Sequence, residues 1–235
     1  MKFIIDKNNP DIYFPDPYFA PDDFPLAYGG DLSVERLIFA YKNGIFPWYS
    51  EDEPILWWSP NPRMVLFPEN LKIQRSLKKV LKKNKFEIRF DENFEDVIKM
   101  CATVKRKGQD GTWITTEMIE AYINLHKIGI AHSVEAYIDN KLVGGLYGVS
   151  IGRAFFGESM FHIVSDASKV AFVYLVKKLQ EWKFDIIDCQ QATVHMARFG
   201  AIEIPRNQFL DILKISTTKP TLLGKWDKDF QEIII

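Results

Sequence analysis

The stretch from residue 130 to residue 190 constrains the fold more than any other part of this chain. Ser133-Val134-Glu135-Ala136-Tyr137-Ile138 and Lys141-Leu142-Val143-Gly144-Gly145-Leu146-Tyr147-Gly148-Val149 flank Asp139-Asn140, a two-residue turn suited to a β-hairpin. Ala154-Phe155-Phe156-Gly157-Glu158-Ser159-Met160-Phe161 predicts a third strand, with Gly157 marking a bulge or a close backbone approach. Val170, Val173, Tyr174, Val176 and Leu179 form a broad apolar face that predicts a helix from about Asp166 to Trp182. A buried strand, Asp185-Ile186-Ile187-Asp188-Cys189-Gln190, follows. Successive antiparallel strands, a helix and another strand make an α+β domain.

The N-terminal part obeys different constraints. Pro10, Pro15, Pro17, Pro21 and Pro25 exclude regular helix over residues 10–30 and predict extended chain laid over the surface. A short helix is expected from Ser33 as N-cap through Leu37, Ile38 and Tyr41 to a stop at Gly44. The proline-bounded segments Ile45-Phe46-Pro47-Trp48-Tyr49 and Ile55-Leu56-Trp57-Trp58-Ser59-Pro60 read as short strands and corners.

Among the 235 residues, 47% are hydrophobic and the formal net charge is -1, which excludes a disordered or histone-like chain. Two cysteines, Cys101 and Cys189, exclude a disulfide framework and fit a reducing cytosol. The N-terminus reaches Asp6 before a signal-peptide apolar region develops, and no run is long enough for a membrane span. A soluble cytosolic protein is expected. Charge is uneven all the same. Lys72, Arg75, Lys78, Lys79, Lys82, Lys83 and Lys85 occur with no acid between them, over Leu77, Val80 and Leu81 at helical spacing. An amphipathic helix over residues 72–85 follows, its basic face either simply solvated or turned to phosphates. A second knot, Lys105-Arg106-Lys107, adds weight to the phosphate reading.

Period-two alternation puts Ile186, Asp188 and Gln190 on one strand face and Ile187, Cys189 and Gln191 on the other. Asp188 therefore reads either as a cap of the following turn or as a general base steadied by the neighbouring amide. The same alternation turns the Cys189 thiol away from Asp188, which disfavours a Cys189–His195 nucleophile and leaves an inert buried cysteine. Glu158 stands among Phe155, Phe156, Met160 and Phe161, a setting that favours an acid held at a site over one merely exposed by a bulge. His126, His132, His162 and His195 lack metal-ligand spacing. Trp48, Trp57, Trp58 and Trp113 belong to the core by residue type, yet beside proline and glycine corners they would also suit base stacking.

Several blocks go further: Gly29-Gly30-Asp31-Leu32-Ser33, Tyr41-x-x-Gly44-Ile45-Phe46-Pro47-Trp48, Trp57-Trp58-Ser59-Pro60-x-Pro62-Arg63, Gly111-Thr112-Trp113-Ile114, Ala131-His132-Ser133-Val134-Glu135, Phe155-Phe156-Gly157-Glu158-Ser159-Met160-Phe161, Ala167-Ser168-Lys169 and Asp188-Cys189-Gln190. In content and order, over roughly residues 14–210, they closely resemble the leucyl/phenylalanyl-tRNA–protein transferase family. The resemblance implies an enzyme that moves Leu or Phe, with Met as a further donor, from aminoacyl-tRNA to the N-terminal amine of a protein beginning with Arg or Lys. The product would be marked for N-degron-dependent degradation. It also implies a small N-terminal α/β domain over residues 1–62, a GNAT-like acyltransferase domain over residues 63–235, a monomer, and neither cofactor nor metal.

Carried over by position, the acid–amide pair of the family falls on Asp188 and Gln190 and its site glutamate on Glu158. Tyr41, Trp48, Trp113 and Tyr122 would surround the terminal adenosine. Leu146, Phe155, Leu175, Leu179 and Ile187 would line the pocket for the transferred side chain. The chain departs from the family pattern at Tyr137, usually Trp, at His162-Ile163, usually Ser-Arg, and at Arg198-Phe199, usually Ser-Leu. An aminoacyl-tRNA is already an activated ester, so positioning of the amine is the main requirement. Asp188 acting through Gln190 would relay the proton the amine must lose, Glu158 would attract the cationic substrate, and the basic run 72–85 would meet the acceptor stem. The rivals are an acetyl-CoA-dependent GNAT enzyme, a non-catalytic RNA-binding module and a Cys189 thiol enzyme.

Overall fold

Short proline-bounded segments and long alternating ones sort into two sheets. The computed structural model describes residues 3–9, 11–104 and 113–226; Lys105-Arg106-Lys107 and Gly111-Thr112 lie outside them. In chain order the elements are β1 (Ile4–Ile5), β2 (Ala27–Gly29), α1 (Val34–Lys42), β3 (Phe46–Pro47), β4 (Leu56–Trp58), β5 (Arg63–Leu66), α2 (Arg75–Leu81), β6 (Glu87–Phe90) and α3 (Phe94–Thr103). There follow α4 (Thr116–Lys127), β7 (Ala131–Ile138), β8 (Lys141–Ile151), β9 (Ala154–His162), α5 (Ala167–Glu181), β10 (Ile186–Asp188), α6 (Val194–Ala197), β11 (Ile202–Ile204) and α7 (Arg206–Ser216). The small sheet has the order β1-β2-β4-β3 and the large one β11-β5-β10-β9-β8-β7-β6. The architecture is mixed α+β.

The described part of the proline-rich segment holds a single 3-10 turn, Pro17–Phe19, and no α-helix. Ser33 precedes α1, as expected, but its side chain makes no capping bond. Asp31 organises this end instead, accepting from the Ser33 backbone N–H at 2.8 Å and pairing with buried Arg36 at 3.1 Å. The helix stops at Gly44, whose φ of 69° suits glycine and where a Cβ would press on Leu210 and Phe209 at 2.6 and 2.9 Å.

The β7–β8 hairpin turns on Asp139 and Asn140, with φ of 49° and 59°, the left-handed pair a tight hairpin demands. Both faces of the large sheet are covered. Leu66, Leu146, Phe155 and Ile187 pack with Val170, Leu175, Val176 and Leu179 of α5. On the other face Tyr147, Val149 and Phe156 share a core with Leu37 and Tyr41 of α1, Val97 and Ile98 of α3, Met118 and Tyr122 of α4, and Trp57 of the small sheet.

Two expectations need correction. The helix expected over residues 72–85 is only α2, because Leu77 and Leu81 are its sole buried anchors and Asn84 takes a left-handed φ of 45°. Regular strand ends at Asp188, and Gln190 is left-handed, with φ of 60°. Period-two alternation therefore stops before Gln190.

Candidate active site

The site forms where two neighbouring strands separate. β10 runs parallel to β9 through the pairs Ile186↔Ala154, Ile187↔Phe155 and Asp188↔Phe156, and there the pairing ends. On β9 the next residues are irregular: Tyr147 of β8 faces Ser159 while Gly148 faces Gly157, so Glu158 is the extra residue of a bulge. The close approach expected at Gly157 lies instead at Gly148, where a Cβ would meet Phe156 O at 2.3 Å and the Phe155 ring at 2.6 Å. At Gly157 it would meet only Asp188 O, at an ordinary 3.5 Å.

Beyond the parting strands lies a cavity of about 410 Å³. Leu146, Phe155, Leu175 and Ile187 line it, joined by Met160, Phe172 and Met196. Leu179 does not; it is fully buried in the core beneath α5, and its expected place on the wall is corrected. Glu158, Ser159, Asp188, Thr193, His195 and Trp113 are among the residues that bring polar groups to the cavity.

Asp188 is 1% exposed and sits in a two-pronged ion pair with Arg63, which is equally buried. Arg63 Nε donates to Oδ1 at 2.8 Å and Nη2 to Oδ2 at 2.6 Å. The guanidinium also lies 4.8 Å from the Phe46 ring centre and 4.6 Å from that of Phe209. Asp188 Oδ1 accepts in addition from the Gln190 backbone N–H at 2.8 Å, an Asx-type bond that closes the turn after the strand. Both carboxylate oxygens are thus engaged, an arrangement that holds Gln190 in place and differs from the free base of the sequence reading.

Gln190 reaches across the gap, and its Nε2 donates to Glu158 Oε1 at 2.9 Å. Tyr41 Oη, from α1, lies 2.7 Å from the same oxygen, and Tyr122 Oη, from α4, 3.1 Å from Oε2. The two tyrosine hydroxyls also contact each other. Burial pushes Glu158 up to about 8; the nearby Asp188 charge adds to this, while the bonds from Tyr41, Tyr122 and Gln190 oppose it. Tyr41 and Tyr122 are held well above the usual phenol range, by burial first and then by the Glu158 carboxyl. Both Glu158 oxygens are engaged by neighbouring side chains, where the sequence reading has a free carboxylate facing a cationic substrate.

Tyr41 and Tyr122 are 1% and 0% exposed, so neither ring offers a stacking face; packed between α1 and α4, they serve Glu158 through their hydroxyls. Trp48 is 37% exposed beside Trp58, whose Nε1 donates to Trp48 O at 2.7 Å, and Trp113 is half-buried at the cavity. All seven basic residues of the 72–85 run are exposed. The Cys189 thiol is raised by burial, far from a thiolate. His126 contacts the Ala131 carbonyl at 2.8 Å and His132 contacts Asp91 at 2.7 Å.

Sequence reasoning passed over Arg63, Phe172, Met160, Met196 and the tyrosine contacts of Glu158. Arg63 did leave a signal: it opens a strand, Arg63–Leu66, buried at every position, and a cation there needs a partner. The register pairs Asp188 with Val65, which puts Arg63 diagonally next to Asp188 on the same face.

Comparison with known proteins gives the family. Residues 65–214 match the family described as leucyl/phenylalanyl-tRNA protein transferase, and residues 30–61 match its N-terminal domain. A leucyl/phenylalanyl-tRNA–protein transferase of Anaeromyxobacter sp. (strain Fw109-5) is 56% identical over 219 residues, 93% of each chain. One of Thermodesulfovibrio yellowstonii is 57% identical over 94% of this chain and 90% of its own. One of Nitrosomonas eutropha is 58% identical over 87% of each. Among solved structures, L-PGS from Bacillus licheniformis superposes with a TM-score of 0.40 at 10% identity, over 72% of this chain and 53% of that one. On the sequence matches, this chain belongs to the leucyl/phenylalanyl-tRNA–protein transferase family, and so to the aminoacyltransferases.

Proposed function

We propose that the chain transfers Leu, Phe or Met from its aminoacyl-tRNA to the N-terminal amine of proteins beginning with Arg or Lys, marking them for N-degron-dependent degradation. One observation carries the reading: an apolar cavity with room for such a side chain is bordered by Asp188 and Glu158, the two carboxyls that hold the Gln190 amide from both sides. Leu146, Phe155, Leu175 and Ile187 take the transferred side chain, with Phe172 and Met160 completing the wall. An extra or missing methylene there changes binding by only about 1–3 kcal/mol, so rejection of β-branched side chains comes from shape.

The ester is already activated, and catalysis consists chiefly of holding the amine at attack distance. Gln190 accepts a hydrogen bond from that amine, and Asp188, fixed by Arg63, keeps Gln190 in its left-handed conformation. Attack forms the C–N bond and breaks the ester C–O bond, and the proton lost by nitrogen ends on the departing ribose oxygen. Trp48 and Trp113 stack on the terminal adenosine, and Lys72, Arg75, Lys78, Lys79, Lys82, Lys83 and Lys85 meet acceptor-stem phosphates. The bulge in β9 and its parting from parallel β10 support a GNAT-like acyl-transfer domain over residues 63–235, preceded by a small domain over 1–62. The approach to α5, His162-Ile163-Val164-Ser165-Asp166, has no glycine, which disfavours acyl-CoA as donor. Cys101 and Cys189 remain thiols, which fits a cytosolic site of action.

The test incubates the protein with labelled Leu-tRNA or Phe-tRNA and a peptide beginning with Arg or Lys. A peptide longer by one residue is expected. Equal extension of a peptide beginning with Asp would overturn the acceptor assignment, and an unextended Arg peptide would overturn the reading altogether.

A further inference from the structure

The contacts around Glu158 need one more hydrogen than a carboxylate leaves available. Tyr41 Oη meets Tyr122 Oη, Tyr41 Oη meets Glu158 Oε1 at 2.7 Å, and Tyr122 Oη meets Glu158 Oε2 at 3.1 Å. These three contacts close a ring. Each needs a hydrogen between its oxygens, because lone pairs facing each other at such distances repel. The tyrosines supply two. The Gln190 amide hydrogen on Oε1 lies outside the ring and leaves the count unchanged. The third hydrogen has to come from Glu158.

We propose that Glu158 works as a neutral carboxylic acid, closing a cyclic hydrogen-bonded ring with Tyr122 and Tyr41, and that this ring fixes the Gln190 amide with its NH₂ on Glu158 and its oxygen turned away from it. Around the ring, Glu158 Oε2–H donates to Tyr122, Tyr122 O–H to Tyr41, and Tyr41 O–H to Glu158 Oε1. With the proton on Oε2, Oε1 accepts, Gln190 presents its NH₂ there and its own oxygen is left for the incoming amine; ionisation would leave the ring one hydrogen short, open it at one contact and release Glu158 from this position. Glu158, Tyr41 and Tyr122 are positioning residues, since they act through Gln190. The consequence for the reaction rests on the placement of the amine at Gln190 proposed above; the ring itself does not.

The surrounding groups favour the neutral form. Asp188 faces Glu158 from β10 and disfavours a second negative charge, although Arg63 of β5 neutralises much of its own. Tyr147 of β8 packs edge-on against Tyr122 at 5.6 Å, and the Cys189 thiol beside Asp188 stays protonated. The described partners of the carboxyl, Tyr41, Tyr122 and Gln190, bring no positive charge to match an anion. Burial adds to this by holding the group near 8.

The test compares Glu158→Ala with Glu158→Gln, whose amide is uncharged and keeps a donor arm and an acceptor arm. Glu158→Ala should lower kcat by about 10²-fold, the cost of a misplacement of about 1 Å at the reacting groups. Glu158→Gln should recover most of that loss. Wild-type kcat should fall above about pH 8, and the Gln variant should lack that alkaline limb. A Gln variant as slow as the Ala variant, or one that keeps the limb, would overturn the proposal. Should either variant fail to fold, infrared spectroscopy decides. In a Glu135→Gln background, which removes the buried carboxyl pushed up to about 7, a protonated-carboxyl band should persist at pH 7 and vanish on alkalinisation. Its absence at pH 7 overturns the ring. Because the spectrum needs no substrate, it separates failure of the ring from failure of the transfer reading.

Discussion

Asp188 and Glu158 line the same cavity, lose most of their water, and reach opposite solutions. Asp188 faces β5, whose first residue is a guanidinium with two parallel N–H groups, and its charge is matched by a charge. Glu158 faces α1 and α4, which offer only phenol hydroxyls, and its charge is best removed by a proton. The partner supplied by the neighbouring element decides the state of a buried carboxyl; its own chemistry does not. Gln190 joins the two solutions, bound through its backbone N–H to Asp188 and through its side chain to Glu158.

The most severe way to break the comparison is to take the charge partner from Asp188. Arg63→Met leaves a carboxylate buried without its cation, which costs about 3–5 kcal/mol. At about 2–4 °C per kcal/mol for a domain of this size, thermal unfolding should drop by on the order of 10 °C. Arg63→Lys keeps the charge but not the fork, and should lose less. A melting point for Arg63→Met within a degree or two of wild type would mean that the pair does not hold this part of the sheet.

Next in size is the bulge that aims Glu158. Gly148→Ala puts a methyl group 2.3 Å from a backbone oxygen, and overpacking of this kind costs about 1–3 kcal/mol. Gly157→Ala meets nothing closer than 3.5 Å and should cost well under 1 kcal/mol of strain by the same reasoning. Gly148→Ala should also slow transfer, since displacing Phe155 and Phe156 moves both the pocket wall and the strand that carries Glu158. Urea titrations of the two variants would show whether the order is reversed.

A smaller effect concerns pH. Glu158 and Glu135 are raised to about 8 and about 7, above the unfolded value of about 4.3. Native protein then holds protons that unfolded chain has released. The stability these groups contribute is fully present below about pH 4.3 and is lost as pH rises through 7 and 8. His132, pushed below the usual imidazole range chiefly by burial, works the other way and loses its contribution as pH falls. The informative quantity is therefore the difference between wild type and Glu158→Gln across pH 5 to 9, which should decline toward alkaline pH; a flat difference would return Glu158 to the charged class of Asp188.

What the sequence reveals and what it hides divide along the same line. The turn at Asp139-Asn140 and the irregularity at Gly157 were legible because each depends on a few adjacent residues whose backbone preferences are their own. The pairing of Arg63 with Asp188 was not, because β5 and β10 become neighbours only through the order of the sheet. Tyr41 and Tyr122 read as stacking rings by residue type, and their hydroxyls meet only when α1 packs against α4. Leu175 and Leu179 are one helical turn apart on the same face, and which of them borders the cavity depends on where β9 and β10 part. Local chemistry predicts elements; the partner of a buried polar group is a tertiary fact.

The mildest prediction lies outside both carboxyls. Lys78 and Lys79 are exposed in the last turn of α2. A lysine whose work is to meet a phosphate adds affinity by releasing counterions, and each such contact removed makes the dependence of log affinity on log salt shallower by about one. The double change Lys78→Gln, Lys79→Gln should therefore flatten the salt dependence of aminoacyl-tRNA binding by about two while the alkaline limb of the rate profile stays where Glu158 puts it. If the salt slope is unchanged, these lysines are a solvated face. If the alkaline limb moves, long-range charge reaches the ring, and the contrast between Asp188 and Glu158 owes less to their immediate partners than their hydrogen bonds suggest.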